Sequence, residues 1–126
     1  MLLRVFVADY PAQCEVAVEA MEQADIVGVS VQSLCEFVWV LGRNYGTARA
    51  DIAAAIRRLI DTRNVLVNRP AVEAGLLMLE AGGDFADGVI AFEGRWLGGE
   101  KFVSFDREAV KVLAAQGQAA RLLAAK

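Results

Sequence analysis

Four acidic residues stand where local structure gives little reason for an acid. Glu36 is alone in the run Val29 to Leu41, Val-Ser-Val-Gln-Ser-Leu-Cys-Glu-Phe-Val-Trp-Val-Leu, which is too apolar to read as a solvated helix face. Asp87 follows Asp84 by three residues in Gly-Gly-Asp-Phe-Ala-Asp-Gly-Val-Ile-Ala, and Asp106 ends Lys-Phe-Val-Ser-Phe-Asp. Carboxylates drawn into apolar surroundings repel one another and lose hydration, so a group of them implies a bound cation. Magnesium takes oxygen ligands, accepts one or two carboxylates and keeps several waters. Such an ion activates water and stabilises an in-line phosphoryl displacement without any histidine. Phosphodiester hydrolysis is the chemistry this residue set suits.

Each acid also has a purely structural reading. Glu36 can pair with Arg43, two turns on along the same side of a helix. Asp84, after two glycines, is a preferred N-cap. Asp87 would favour the positive end of the same helix, and Asp106 can cap the last helix with Glu108 just inside it. The combination carries the cation hypothesis: a buried-looking acid, an acidic pair opening an apolar helix, and an acid at a strand's end.

Composition narrows the alternatives. The 126 residues contain no histidine and only Cys14 and Cys35, which excludes a Cys/His zinc site, Ser-His-Asp catalysis and Cys-His catalysis. A Cys14–Cys35 disulfide is conceivable, but reduced thiols are the usual state in the cytosol. The apolar fraction is 56%, yet no uninterrupted apolar run reaches the roughly 18 to 20 residues of a spanning helix. The opening Met-Leu-Leu-Arg-Val-Phe-Val lacks the features of a secretory signal, so a cytoplasmic protein with no membrane association is expected. A net charge of −3 does not advertise nucleic-acid binding over the whole surface. Arg43, Arg49, Arg57, Arg58, Arg63 and Arg69 are locally dense, which allows a basic rim around an acidic centre.

The elements that must position these residues follow from periodicity. Helix is expected from Pro11 to Ala24 and a short strand from Ile26 to Val31. Leu34, Phe37, Val38, Leu41 and Tyr45 share a helix face that Gly46 stops. Trp39, Val40 and Cys35 cover the side on which Glu36 points, so this helix is expected to be buried nearly all round, with Trp39 and Phe37 in the core. A helix over Thr47 to Thr62, a strand over Val65 to Val67, and a helix from Pro70 to Gly82 and Gly83 come next. Then come a helix from Asp84 to Leu97 weakened by Gly88 and Gly94, a strand over Phe102 to Phe105, and a helix from Arg107 to Ala115 stopped near Gly117. Leu76, Leu77 and Leu79 read as core or dimer surface, and Trp96 as exposed enough to meet a partner. Strands alternating with helices predict an α/β fold in one domain, 1–126, with a parallel sheet flanked by helices on both faces. Ligands in such sheets bind beyond the carboxyl ends of strands, where Asp106 falls.

Ser-Leu-Cys-Glu-Phe-Val-Trp-Val-Leu-Gly-Arg-Asn-Tyr-Gly, Asp-Phe-Ala-Asp-Gly-Val-Ile-Ala and Phe-Val-Ser-Phe-Asp, in that order and spacing, resemble PIN-domain proteins of the VapC toxin type. The resemblance covers nearly the whole chain. It implies a PIN-like parallel-sheet fold and an endoribonuclease dependent on Mg²⁺ or Mn²⁺. It also implies pairing with a small antitoxin that blocks the active site, often within a homodimer of toxins. By matching motifs, Glu36, Asp87 and Asp106 take the catalytic metal positions, Asp84 is an accessory acid, and Ser104 supplies a hydroxyl near the last carboxylate. Arg43 and Arg49 are candidates for holding RNA phosphate, since arginine contacts phosphate in bidentate fashion.

The chain departs from this pattern at its front. Family members open with a strand running into Asp-Thr-Asn; here Met1 falls where the residue after that Asn would be, and Leu2 to Val7 and Ala8 to Gln13 match the family's next two segments. The first central strand and its leading metal-binding Asp are thus missing from the chain as given, through an earlier true start or as a natural remnant. Lowered activity is expected, with dimerisation or a rearranged sheet compensating for the gap. Two functions are then open: a metal-dependent ribonuclease using Glu36, Asp87 and Asp106, or an inactive remnant that dimerises or binds an antitoxin. A phospho-acceptor signalling domain also gathers acids at strand ends, but Lys101 precedes its strand here and no acidic pair follows an early strand.

Overall fold

A computed structural model describes Gln23 and residues 25–124. The expected Pro11–Ala24 helix, the Leu2–Val7 segment and Cys14 lie outside the described residues. The chain divides into two compact units, one up to Val67 and one from Asn68 on. Among the described residues it is a mixed α/β protein of five helices and four short strands, and both strand pairs are parallel.

In the first unit, β1 (Val27–Gly28) pairs with β2 (Val65–Leu66) in the register Val27 with Val65 and Gly28 with Leu66. Parallel neighbours need a long crossover, here supplied by α1 (Val31–Asn44) and α2 (Arg49–Ile60). The expected strand over Ile26 to Val31 is shorter because Ser30 caps α1: its hydroxyl accepts from the Ser33 N–H at 3.1 Å, which commits Val31 to helix. Gly46 takes a positive φ of 60° just beyond α1, as its place as a stop requires.

Leu34, Phe37, Val38 and Leu41 are the buried residues of α1, at the i, i+3, i+4, i+7 spacing of one apolar stripe. Their counterparts on α2 are Ile52, Ala53, Ile56, Leu59 and Ile60. One expectation fails here: α1 is not buried all round. Trp39 is 54% exposed and Glu36 is exposed, while Cys35 and Val40 are half-buried. At 100° per residue, Trp39 lies about 150° from the centre of the buried stripe, so the helix cannot bury Phe37 and Trp39 together.

In the second unit, α3 (Arg69–Glu80) and α4 (Phe85–Trp96) form the tightest contact. Asn68 caps α3 through the Ala71 N–H, Pro70 sits in its first turn, and Arg69 pairs with Glu73 at 3.4 Å. A Cβ on Gly75 would stand 2.5 Å from the Phe85 ring, and one on Gly88 would stand 2.5 Å from the Ala74 carbonyl oxygen. Gly88 is therefore a point of close helix approach as well as a weak helix former. Phe85 is fully buried, and Leu76 and Leu79 are buried while Leu77 is exposed.

The chain then runs through β3 (Phe102–Ser104), α5 (Arg107–Ala115) and β4 (Ala120–Leu122), a strand–helix–strand unit. β3 and β4 pair in the register Phe102 with Ala120, Val103 with Arg121 and Ser104 with Leu122. β4 has no counterpart among the expected elements, because Ala-Ala-Arg-Leu-Leu looks like an alanine-rich tail. Met78, Ala91, Ala109, Val112 and Leu113 form a buried cluster against which Phe102 and Ala120 pack, tying this unit to the α3–α4 pair.

Candidate functional site

The sheet end and two helix starts bring three of the candidate acids together in the second unit. Asp84 is the N-cap of α4, its carboxylate accepting from the Ala86 N–H at 3.4 Å. Asp87 lies in the first turn of the same helix, with its own N–H donating to the Asp84 carbonyl at 3.0 Å. Asp106 is the N-cap of α5 and accepts from the N–H groups of Glu108 at 2.9 Å and Ala109 at 3.2 Å. The Asp106 N–H in turn donates to the Ser104 hydroxyl oxygen at 2.9 Å, so the last residue of β3 helps fix the turn that delivers the carboxylate. Both capping readings of the sequence are thus realised, and capping is what aims the acids.

Electrostatics mark Asp87 as the centre of the group. Its carboxyl is pushed up from 3.8 to about 6, first by burial, then by the charges of Asp84 and Asp106, and last by a side-chain hydrogen bond with Asp106. Two carboxylates that close ionise together only at a cost, which a bound cation would relieve. The donors are oxygen only, and a pair close enough to share a hydrogen bond fits a hard ion held by two carboxylates and water. A cage of three or more acidic or cysteine side chains is not gathered among the described residues.

Glu36 belongs to the first unit, on the exposed side of α1. An ion pair with Arg43 is not formed among the described residues; the Arg43 guanidinium stands over Trp39 instead, 5.8 Å from the ring centroid. Arg49 opens α2 at an exposed position. The sequence reading set Trp39 opposite the Leu34–Leu41 stripe but expected that side to be buried, and so missed the exposed Trp39–Arg43 pair. It also gave no sign of a cavity of about 320 Å³ at the opposite end of β3 from Asp106, lined in part by Ile90, Gly94, Arg95, Lys101 and Phe102. Gln118 also lines it and accepts from Arg95.

Among the described residues no helix is long and apolar enough to cross a membrane. Comparison with protein-family models, with curated proteins and with solved structures gives no match. Fold and site together define a mixed α/β protein with a close carboxylate pair, Asp87 and Asp106, where a strand end meets two helix N-termini.

Proposed function

We propose that the protein is a metal-dependent endoribonuclease of the PIN-domain, VapC toxin kind, with a PIN-like sheet in a single domain. In this reading Asp87 and Asp106 would hold Mg²⁺ or Mn²⁺ and Asp84 assists from the neighbouring cap; the resemblance to PIN-domain proteins also gives Glu36 a ligand's role. When bound, the ion supplies water activation and charge stabilisation for phosphodiester hydrolysis. Asp106 is oriented by two N–H donors and by the Ser104 turn, and Asp87 must release its proton before the pair is fully anionic. Arg43 and Arg49 hold RNA phosphate. The protein acts in the cytoplasm, as a homodimer, and a small antitoxin covers the site.

The observation that supports the reading is the Asp87–Asp106 pair, whose mutual repulsion a hard cation would relieve. The test is cleavage of a mixed single-stranded RNA in Mg²⁺ or Mn²⁺ by the chain, by Asp87→Asn and by Asp106→Asn. Metal-dependent cleavage lost in both variants, with folding retained by circular dichroism, supports it; a silent parent chain overturns it. A second reading, a protein-binding module without catalysis, draws on Trp96 and Leu97 at the end of α4, which are 81% and 85% exposed.

A further inference from the structure

The register of α1 puts three chemically distinct side chains on its outward side. At 100° per residue, Glu36, Trp39 and Arg43 fall within about 60° of one another around the helix, and Trp39 and Arg43 lie about one and two turns beyond Glu36. Trp39 is 54% exposed, which leaves a large aromatic surface in contact with water. The Arg43 guanidinium stands over the indole, 5.8 Å from its ring centroid, and about half of the tryptophan still meets solvent. Aromatic rings take nucleobases of any identity by stacking, and arginine keeps its in-plane N–H donors for phosphate even when it lies over a ring.

From this we infer that Trp39 is a base-stacking platform for single-stranded RNA, with Arg43 holding the adjoining phosphate. The inference rests on the ribonuclease reading above and names the subsite that would position the strand beside Glu36. It assigns Trp39 a role in binding the strand, independent of its sequence, since stacking needs only a π face. The acidic Glu36 on the same stripe makes strand binding weaker without a divalent cation, because it faces the same backbone phosphates.

Tryptophan fluorescence tests this directly. In a Trp96→Phe background Trp39 is the sole tryptophan. This protein is titrated with oligouridine and with an abasic ribose-phosphate oligomer of equal length, with calcium in place of magnesium so that the strand stays intact. The expected result is quenching by oligouridine and little by the abasic strand. Trp39→Ala should lose about 5- to 150-fold in affinity for oligouridine, while Trp39→Phe retains most of it. Arg43→Ala should weaken both oligomers alike. RNA that binds with equal quenching by the two strands, or equally to Trp39→Ala and parent, overturns the platform and leaves the nuclease reading standing. RNA that binds to no variant overturns both. Unchanged RNA affinity with an altered oligomeric state of Trp39→Ala by light scattering makes this face a protein contact, and also overturns the platform.

Discussion

The two units each close a pair of parallel strands through helices, yet they hold their candidate chemistry in opposite ways. In the second unit Asp84 and Asp106 are helix caps, so backbone N–H groups fix the carboxylates. In the first, Glu36 projects from the middle of α1 and depends on its own side-chain rotamers. Acids held by the backbone are tied to stability, whereas an acid on an exposed helix face is free to serve ligands alone. The difference extends to packing. The α3–α4 contact is close enough to need glycine at two positions, while an added Cβ at Gly42 in α1 meets nothing within 4 Å.

The sharpest way to break this comparison is at Gly88. A methyl group there would stand 2.5 Å from the Ala74 carbonyl oxygen and 2.9 Å from the Gly75 Cα, backbone atoms that cannot swing aside. Gly88→Ala should therefore destabilise by about 1 to 3 kcal/mol, the usual cost of overpacking, despite alanine's better helix propensity. Thermal denaturation followed by circular dichroism reads it. A variant as stable as the parent would show that the α3–α4 contact yields easily, and the contrast between the units would go with it.

Next in size is Asp106, where capping and charge separate. Asp106→Ala removes the acceptor for two N–H groups at the start of α5 and should cost roughly 0.5 to 2 kcal/mol. Asp106→Asn keeps a good cap and removes only the charge. It should leave denaturation nearly unchanged while bringing the Asp87 carboxyl down from about 6, because the charge of Asp106 is one of the causes that raises it. Side-chain carboxyl NMR titration distinguishes the two effects. An Asp87 titration that is unmoved in Asp106→Asn would mean that burial and the Asp84 charge set its value without Asp106.

Asp87 itself gives a pH dependence of definite sign. Its carboxyl goes from 3.8 when unperturbed to about 6 in the fold, so the folded chain holds the proton more tightly than the unfolded one. The cost of this acid is absent below pH 4, grows as pH rises through 6, and is complete above it. Solvent screening of a half-exposed group limits it to on the order of 1 kcal/mol. Asp87→Asn should lose that part of the slope between pH 4 and 6 and be the more stable protein at pH 7. A metal held by the pair must displace the same proton, so Mg²⁺ affinity of the parent should climb through pH 6 and level above it. Isothermal titration across that range checks both the binding and its loss in the variant.

Legibility in the sequence divides along the same line, between local hydrogen bonding and contacts made at a distance. Ser30, Asn68, Asp84 and Asp106 start helices by local hydrogen bonds, and Gly46 and Gly117 stand just past helix ends with φ of 60° and 80°, so helix limits from α1 to α5 were legible within a few residues. Capping also made Asp84 and Asp106 legible as structure, and their spacing from Asp87 as a cluster. Trp39 was set on the correct side of α1, opposite the Leu34–Leu41 stripe, but its apolar character was taken to mean that this side is covered as well. β4 was invisible because Ala120 to Leu122 carries no strand alternation; it is a strand because α5 returns the chain beside β3. The role of Gly88 was hidden for a similar reason: its partner, Ala74, lies on another helix, and no local pattern reports that approach.

The smallest expected effect completes the comparison from the other side. Gly42 lies inside α1 between buried Leu41 and exposed Arg43, with open space where a Cβ would be. Gly42→Ala lowers the entropy of the unfolded chain and adds helix propensity without a clash, which should stabilise by about 0.5 to 1 kcal/mol. Gly94, in α4, has the same open surroundings and should respond in the same direction. The sign therefore depends on what the next helix presents, and the unit or the helix that carries the glycine does not decide it. A gain at 42 and 94 with a loss at 88, measured by the same denaturation curves, would locate the packing constraint in the Ala74–Gly75–Gly88 contact. A loss at all three would mean that glycine serves flexibility along these helices and that the close approach of α3 and α4 is incidental.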